Sequence, residues 1–114
     1  MSQDRPGGIG SYNSMKVPPD GPKWTFLTNH SHVLVLLAKD PDMTLRDIAE
    51  HIGITERAVH KIVGELEDDG YLVRERIGRR NRYELRLDRS LRHPVESHKT
   101  VGDIVRVILD GLQP

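Results

Sequence analysis

The chain contains no cysteine and few aromatic residues, with one tryptophan, one phenylalanine and three tyrosines among its 114 residues. The absence of cysteine excludes disulfide bonds, thiolate metal sites and thiol nucleophiles. Because large aromatic side chains are scarce, leucine, isoleucine and valine must supply the hydrophobic core. The sequence has no run of about 18 apolar residues and no signal-peptide pattern. We therefore expect a single soluble, cytoplasmic domain with no membrane partner.

The formal net charge is zero, because 17 basic and 17 acidic residues balance, but the charges are unevenly distributed. Residues 40–70 contain nine acidic and three basic side chains, which gives a net charge of −6. Residues 71–93 contain eight arginines and three acidic residues, which gives +5. This asymmetry predicts that attraction for a polyanion resides in the second segment.

Two regions are distinguished by composition. Residues 1–22 are rich in glycine, proline and serine and lack apolar periodicity, which predicts a disordered tail. Residues 23–114 are predicted to form one domain that ends in a dimerisation helix. Its first helix is capped by Thr28 or Asn29 and runs to about Lys39. This helix is apolar on every side, so we expect it to pack on the next helices and on either the C-terminal helix or a second subunit.

The segment from Thr44 to Gly70, TLRDIAEHIGITERAVHKIVGELEDDG, predicts two short helices joined at Gly53. Apolar residues recur at helical spacing in both halves, so the two apolar stripes meet in one core. The small side chain of Ala49 allows the second helix to approach closely, and Gly53 tolerates the positive φ of a tight turn. Thr44, in a capping box with Asp47, and Thr55 are the predicted N-caps.

After Gly70 the apolar periodicity changes from 3.6 to 2. Apolar and charged residues alternate over residues 82–88, which predicts a half-buried strand. Residues 71–77 are its predicted antiparallel partner, and residues 78–81, Gly-Arg-Arg-Asn, form the predicted loop between the two.

The last helix is predicted to start after Thr100, which forms a capping box with Asp103, and to end near Gly111. It carries an apolar stripe that is unsuited to exposure in water. The stripe is expected either to cover the first helix or to pair with its own copy in a dimer.

The order helix, helix-turn-helix, hairpin, terminal helix over residues 24–112 resembles the prokaryotic winged helix-turn-helix transcriptional regulators of the MarR/ArsR type. The resemblance implies an α+β, mainly α fold: a winged helix-turn-helix with a two-stranded hairpin wing and a C-terminal helix. It also implies a one-bridge strand at residues 43–45. The positions that carry it are Ile48, Ala49, Ile52, Gly53, Ile54 and Val59.

The resemblance implies that the partner is double-stranded DNA and that the protein is a sequence-specific transcriptional regulator. Residues 55–69 would form the recognition helix in the major groove, with Arg57 contacting guanine. Residues 71–88 would form an arginine-rich wing on the minor groove or the phosphate backbone. The predicted DNA-binding residues are Thr44, Thr55, Glu56, Arg57, His60, Lys61, Arg74, Arg76, Arg79, Arg80, Asn81 and Arg82.

The first and last helices both present surplus apolar surface, which predicts a homodimer and a palindromic operator. Two alternatives remain open at this stage. One is a winged-helix module that binds protein through its acidic face, and the other is a one-component sensor with a small-molecule effector between its helices. The predicted dimerisation residues are Val33, Leu36, Leu37, Val101, Ile104, Val105, Ile108, Leu109 and Leu112.

Catalytic and metal-binding signals are weak. The six histidines lack the spacing of a metal-ligand set, and surface or capping roles account for them better. No phosphate-binding loop, nucleophile elbow or metalloprotease motif occurs. We expect neither an enzyme nor a protein that needs a metal or another cofactor.

Overall fold

The computed structural model describes residues 21–110. The predicted tail lies almost entirely outside the described residues, and Leu112 lies outside them as well. The architecture is the predicted mainly α arrangement with one antiparallel hairpin. The elements are α1 (Asn29–Lys39), α2 (Leu45–Ile52), α3 (Glu56–Asp68), β1 (Leu72–Ile77), β2 (Arg80–Leu85) and α4 (Val101–Leu109).

Each helix between residues 21 and 110 begins after a threonine whose hydroxyl oxygen accepts a hydrogen bond from a backbone N–H three residues later. Such a cap is worth about 1 kcal/mol, because it satisfies an N–H that has no partner within the helix. The carboxylate of Asp103 returns the bond by accepting from the Thr100 N–H at 2.9 Å, so that capping box is complete. At α2 the Asp47 N–H donates to the Thr44 hydroxyl oxygen. No bond from the Thr44 N–H to the Asp47 carboxylate is found among the described residues, so only half of the predicted capping box forms. The caps are Thr28, Thr44, Thr55 and Thr100.

Helix α1 lies at the centre of the core. Residues 33–37 are all buried, and Val33 and Leu37 are completely inaccessible to solvent. Helices α2, α3 and α4 and strand β2 all contact α1, which explains why it has no polar face. Burial of each such side chain contributes about 1.5–3 kcal/mol relative to its exposure. The sequence left open whether the C-terminal helix or a second subunit packs on α1. In the structure, α4 of the same chain packs on it.

This packing corrects the dimer surface that the sequence predicted. Val33, Leu36 and Leu37 on α1 are covered within the subunit, as are Val101 and Val105 on α4. An apolar stripe shows that a helix face is buried, but it does not show which chain buries it. The outer residues of α4 remain more accessible: Ile104 and Leu109 are half-buried and Ile108 is exposed.

The turn between α2 and α3 forms as predicted. Gly53 has a φ of 88°, in the left-handed region that a residue with a Cβ rarely adopts. The Ala49 carbonyl accepts from the N–H groups of both Gly53 and Ile54, at 2.8 and 3.1 Å. Ala49 and its neighbour Ile48 are buried beneath this turn. The chain is therefore reversed within three residues, and α3 starts directly after its cap.

The hairpin turn is tighter than predicted. Ile77 pairs with Arg80, so that only Gly78 and Arg79 connect the strands. Gly78 has a φ of 62°, which a turn of this length requires of its first central residue. Asn81 therefore belongs to β2 and not to the predicted loop.

The second strand also begins and ends earlier than predicted, at residues 80–85 instead of 82–88. The alternation of apolar and charged residues continues after the chain has left the sheet, and Leu87 is 47% exposed. The predicted strand at residues 43–45 is not formed, because Leu45 already belongs to α2. The Tyr83 N–H instead donates to the carbonyl of Pro41 at 3.2 Å, which joins β2 to the segment before α2.

Candidate nucleic-acid interface

Helix α3 has one buried face and one exposed face. Arg57 and Lys61 are four residues apart and both are exposed, so they lie one above the other on the outward side. The inward side packs on α1 and α2 and holds the helix in place. It consists of Val59, Ile62, Val63 and Leu66, which are all buried.

The first turn of α3 carries polar groups that a ligand can reach. The hydroxyl oxygen of Thr55 accepts from the Ala58 N–H at 3.0 Å, which leaves its O–H available as a donor. The Nε2 atom of His60 lies 3.8 Å from the Glu56 carboxylate. Arg57 makes no hydrogen bond or ion pair with any other residue in 21–110, so its guanidinium is available for a partner.

Lys61 lies beside an acidic side chain of its own helix. One carboxylate oxygen of Glu65 hydrogen bonds to Nε2 of His30 on α1 at 2.8 Å, and the other lies 4.0 Å from the Lys61 ammonium. The hydrogen bond from His30 is the main reason that the pKa of Glu65 is below its usual value. Both members of the Lys61–Glu65 pair are solvent-exposed, so the pair is weak and does not prevent Lys61 from binding elsewhere.

Strand register divides the polar residues of the wing between its two faces. Arg74 lies opposite Tyr83 and Arg76 opposite Asn81, on the face whose Tyr83 is buried. Burial raises the pKa of Tyr83. The Arg74 guanidinium lies 3.3 Å from the carboxylate of Glu67 on α3, and Arg76 donates to the carbonyl of Gly78 at 3.0 Å. The inner arginines of the wing therefore already have partners within the chain.

The arginines of the hairpin turn and of β2 have none within residues 21–110. Arg79, Arg80 and Arg82 are exposed, and no acceptor among residues 21–110 hydrogen bonds or ion pairs with their side chains. Arg82 lies opposite Glu75 on the outer face, without a salt bridge. Together with Arg57 they form what we call the unpaired arginines: Arg57, Arg79, Arg80 and Arg82.

The acidic C-terminal end of α3 is largely neutralised by other arginines. Arg74 contacts Glu67, and Arg92 lies 3.3 Å from the Asp69 carboxylate. Arg89 donates to the Asp69 carbonyl at 2.6 Å, where a cation also complements the helix dipole. The carboxylates of Glu67 and Asp69 at this end of α3 therefore have cationic partners within their own chain.

Contacts of Tyr71 link this end of α3 to the wing and to the segment that follows it. The Arg89 guanidinium lies 5.4 Å from the centre of the Tyr71 ring, and the Tyr71 hydroxyl donates to the Ser90 carbonyl at 2.8 Å. The backbone carbonyl of Tyr71 accepts from the Arg86 N–H at 2.9 Å. Helix α3 and the hairpin are therefore connected through side-chain contacts as well as through the main chain.

Arg46 is a candidate that the sequence reasoning missed. It is the second residue of α2, it is exposed, and it makes no hydrogen bond or ion pair within the described part of the chain. A cation in the first turn opposes the helix dipole, so helix stability does not explain its position. The sequence alone shows this unfavourable position of Arg46 in the first turn once Thr44 is identified as the N-cap of α2. Thr44 itself is exposed beside it.

Comparison with known proteins agrees with this geometry. Residues 28–73 match the family model of the winged helix-turn-helix DNA-binding domain. This part of the chain is similar to winged helix-turn-helix DNA-binding domains. The matched residues extend from the cap of α1 into β1 and include the whole of α2 and α3. The predicted fold class is thereby confirmed.

Two similar proteins add context. An uncharacterised protein of Methanocaldococcus jannaschii is 35% identical over 66 residues, which is 57% of this chain and 14% of that protein. The chain thus spans about one seventh of the length of this relative. The crystal structure of the PcaV transcriptional regulator from Streptomyces coelicolor with its natural ligand has a TM-score of 0.49 and 24% identity. The match covers 90% of this chain and 70% of that one.

Metal-ligand clusters and membrane-spanning helices are absent from residues 21–110. No group of three or more metal-ligating side chains occurs within residues 21–110. Helices in this part of the chain are too short or too polar to cross a membrane. Several histidines have local partners instead: His30 with Glu65, His32 with Asn29, His51 with the Asp47 carbonyl, and His93 with the Val95 N–H.

Proposed function

We propose that the protein is a sequence-specific DNA-binding transcriptional regulator. Helix α3 enters the major groove with the stretch from its N-terminus to Gly64, and the wing lies on the minor groove or the flanking phosphates. The observation that carries this proposal is that the unpaired arginines lie on these two elements, whereas Arg74, Arg89 and Arg92 around the C-terminal end of α3 are bound to acidic groups or a carbonyl. Free guanidinium groups are the preferred donors to guanine and to phosphate.

In this proposal, recognition of bases and electrostatic attraction to the phosphates are assigned to different elements. Helix α3 presents Arg57 and Lys61 to base edges, and a bidentate arginine–guanine contact discriminates between bases by about 1–3 kcal/mol. Its local net charge is small, because Glu56 and Glu65 lie beside these cations. Arg79, Arg80 and Arg82 supply sequence-independent attraction, with Arg46 as an additional phosphate contact from α2.

We also propose that the working unit is a homodimer formed through an end surface, which consists of Trp24, Phe26, Val107 and Ile108. All four side chains are exposed, and the rings of Trp24 and Phe26 stack edge to face with centres 5.0 Å apart. Trp24 and Ile108 line the same groove, so both ends of the domain meet there. A second copy related by a two-fold axis would cover this surface and present two α3 helices to a palindromic site.

Selection of bound sequences from a random duplex pool tests the proposal. We expect a short enriched sequence, repeated with inverted symmetry at a spacing of about one helical turn. Affinity for the selected duplex should fall steeply between two salt concentrations, because phosphate contacts release counterions. A pool without enrichment, or an affinity that is independent of salt, would contradict the function.

The structure also supports a sensor as a second candidate function. A groove of about 790 Å³ lies between the segment before α1, helix α1 and the turn at Gly53. Its walls include Trp24, Leu36, Ile54 and Ile108. Burial lowers the pKa of His32, which also lines the groove, so a neutral imidazole adjoins the apolar wall at pH 7. A small, mostly apolar ligand suits this lining.

Trp24 is the only tryptophan of the chain, so its fluorescence reports on the groove directly. Titration with benzyl alcohol and with cyclohexanol should give a saturable change in emission if the groove binds such molecules. A change that increases linearly with concentration, as in collisional quenching, would contradict a sensor for this ligand class. That result would leave the DNA-binding proposal intact.

By contrast, the alternative of a protein-binding module loses support. At the C-terminal end of α3, two of the acidic side chains that such a module would use, Glu67 and Asp69, already contact Arg74 and Arg92. A cationic partner would first have to displace these contacts.

A further inference from the structure

Gly64 lies in the middle of the recognition helix, where a glycine needs an explanation. A glycine inside a helix makes the helix less stable than alanine would at the same position. Packing within the chain does not require it, because a Cβ built at Gly64 meets no atom within 4 Å. Gly102 in α4 differs, since a Cβ there would lie 3.0 Å from the carbonyl oxygen of Leu87.

The position of Gly64 on the helix indicates what the missing side chain leaves room for. Arg57, Lys61 and Gly64 are spaced i, i+4 and i+7, so they form one stripe on the side opposite the buried residues. The major groove is about 12 Å wide, and a helix with its side chains is about 10–12 Å in diameter. A recognition helix therefore fits tightly, and a missing side chain on its outward stripe lets it lie deeper.

We infer that Gly64 is the point at which α3 approaches the floor of the major groove most closely. The helix is then seated along about 10 Å, from Arg57 to Gly64, which corresponds to roughly three base pairs. Gly64 is a positioning residue: it makes no base-specific hydrogen bond, but it sets the depth at which Arg57 and Lys61 reach the bases. The inference rests on the proposed function.

The test uses two substitutions of increasing size, Gly64→Ala and Gly64→Leu, in the full chain. Alanine and leucine both favour the helix, so we expect each variant to melt about 4 °C or more above the natural protein. Affinity for the selected duplex should fall by roughly tenfold for alanine and further for leucine, because overpacking displaces the helix. The melting temperature should thus rise while the DNA affinity falls.

Ser31→Ala serves as the matched control. It also introduces alanine into a helix, but on α1, outside the proposed interface. We expect a small change in melting temperature and unchanged DNA affinity. Equal DNA affinity of the Gly64 variants and the natural protein would overturn the inference while leaving the DNA-binding function in place. A lower melting temperature for Gly64→Ala would overturn it too, by revealing an internal need for glycine. Failure of the natural protein to bind any duplex would refute the function itself.

Discussion

Arginine residues with the same charge have different partners in this protein, and the partner determines what each one can do. Arg74, Arg89 and Arg92 contact acidic side chains or a carbonyl at the end of α3. Arg57 and Arg80 have no such contacts within residues 21–110. The consequences of substitution should therefore differ sharply between arginines that the sequence alone treats as one basic cluster.

Arg57→Ala should relax base preference while leaving general DNA attraction almost intact. The side chain is proposed to donate two hydrogen bonds to one guanine, so its loss removes about 1–3 kcal/mol of discrimination at one position of each half-site. Competition between the selected duplex and single-base variants measures this directly. Unchanged discrimination at every position would show that Arg57 does not read a base.

Arg80→Ala should weaken binding to all duplexes to a similar extent. Loss of one phosphate contact reduces the slope of log affinity against log salt by about 0.9 for each subunit. Arg74→Ala is the matched control, because its guanidinium already contacts Glu67. We expect a smaller change in salt slope for Arg74→Ala, and equal slopes for the two variants would refute the distinction between paired and unpaired arginines.

At the scale of whole elements, α4 has the most completely satisfied start. The Thr100 N–H donates to the Asp103 carboxylate, which is the main cause of its pKa lying below the usual aspartate value of 3.8. Folding therefore favours the ionised carboxylate. This contribution is fully present above the pKa of the unfolded chain and is lost as pH falls through the lower pKa of the folded state.

Asp103→Asn should accordingly flatten the dependence of the free energy of unfolding on pH below about pH 4. Urea unfolding at pH 7 and at a series of acidic pH values would measure the free energy of unfolding of each variant. Glu65 has a lowered pKa as well, so part of the acid sensitivity should remain. Asp88→Asn is a suitable control, because Asp88 makes no hydrogen bond within the described chain. An equal flattening in both variants would contradict the role of the capping box.

Helix starts were predictable from sequence because each depends on one local residue. A threonine followed by a helical apolar pattern defines a cap wherever it occurs, and all four predicted caps are present. Strand limits depend on pairing instead. Arg80 belongs to β2 because Ile77 lies opposite it, and Leu87 falls outside because the chain has turned away. Neither fact is encoded in a pattern of alternating residues.

The site was predictable to a similar degree. Sequence periodicity placed Arg57 and Lys61 on the outward face of α3, and the structure agrees. It did not separate Arg74 from Arg80, because the face of a wing residue depends on the register of the hairpin. The burial of Leu37 by α4 likewise depends on tertiary packing between segments far apart in sequence.

For the whole molecule, the exposed apolar residues make the oligomeric state testable. Val107→Asp would place a charge in the proposed end surface, and we expect it to convert dimers to monomers in sedimentation velocity measurements. DNA affinity should fall with it, since one half-site alone remains bound. Val107 is 74% exposed, so the subunit itself should fold normally.

Val95→Asp provides the control for this experiment. Val95 is 77% exposed but lies in the irregular segment before α4 and is not one of the residues of the proposed surface. We expect it to leave the sedimentation coefficient and DNA affinity unchanged. A Val107→Asp protein that sediments like the natural one would exclude the end surface as the dimer contact.

The contacts among Glu67, Arg74, Tyr71 and Arg89 have a consequence for the DNA as well as for the protein. Because α3 and the wing are joined this way, their contact points on a duplex have a fixed separation and a fixed angle about the helix axis. One base pair inserted between the two contacted sequences turns the wing contact by about 35° and moves it by about 3.4 Å. Such a duplex keeps every contacted base and phosphate, yet it should bind less tightly because the chain cannot follow the altered helical phase.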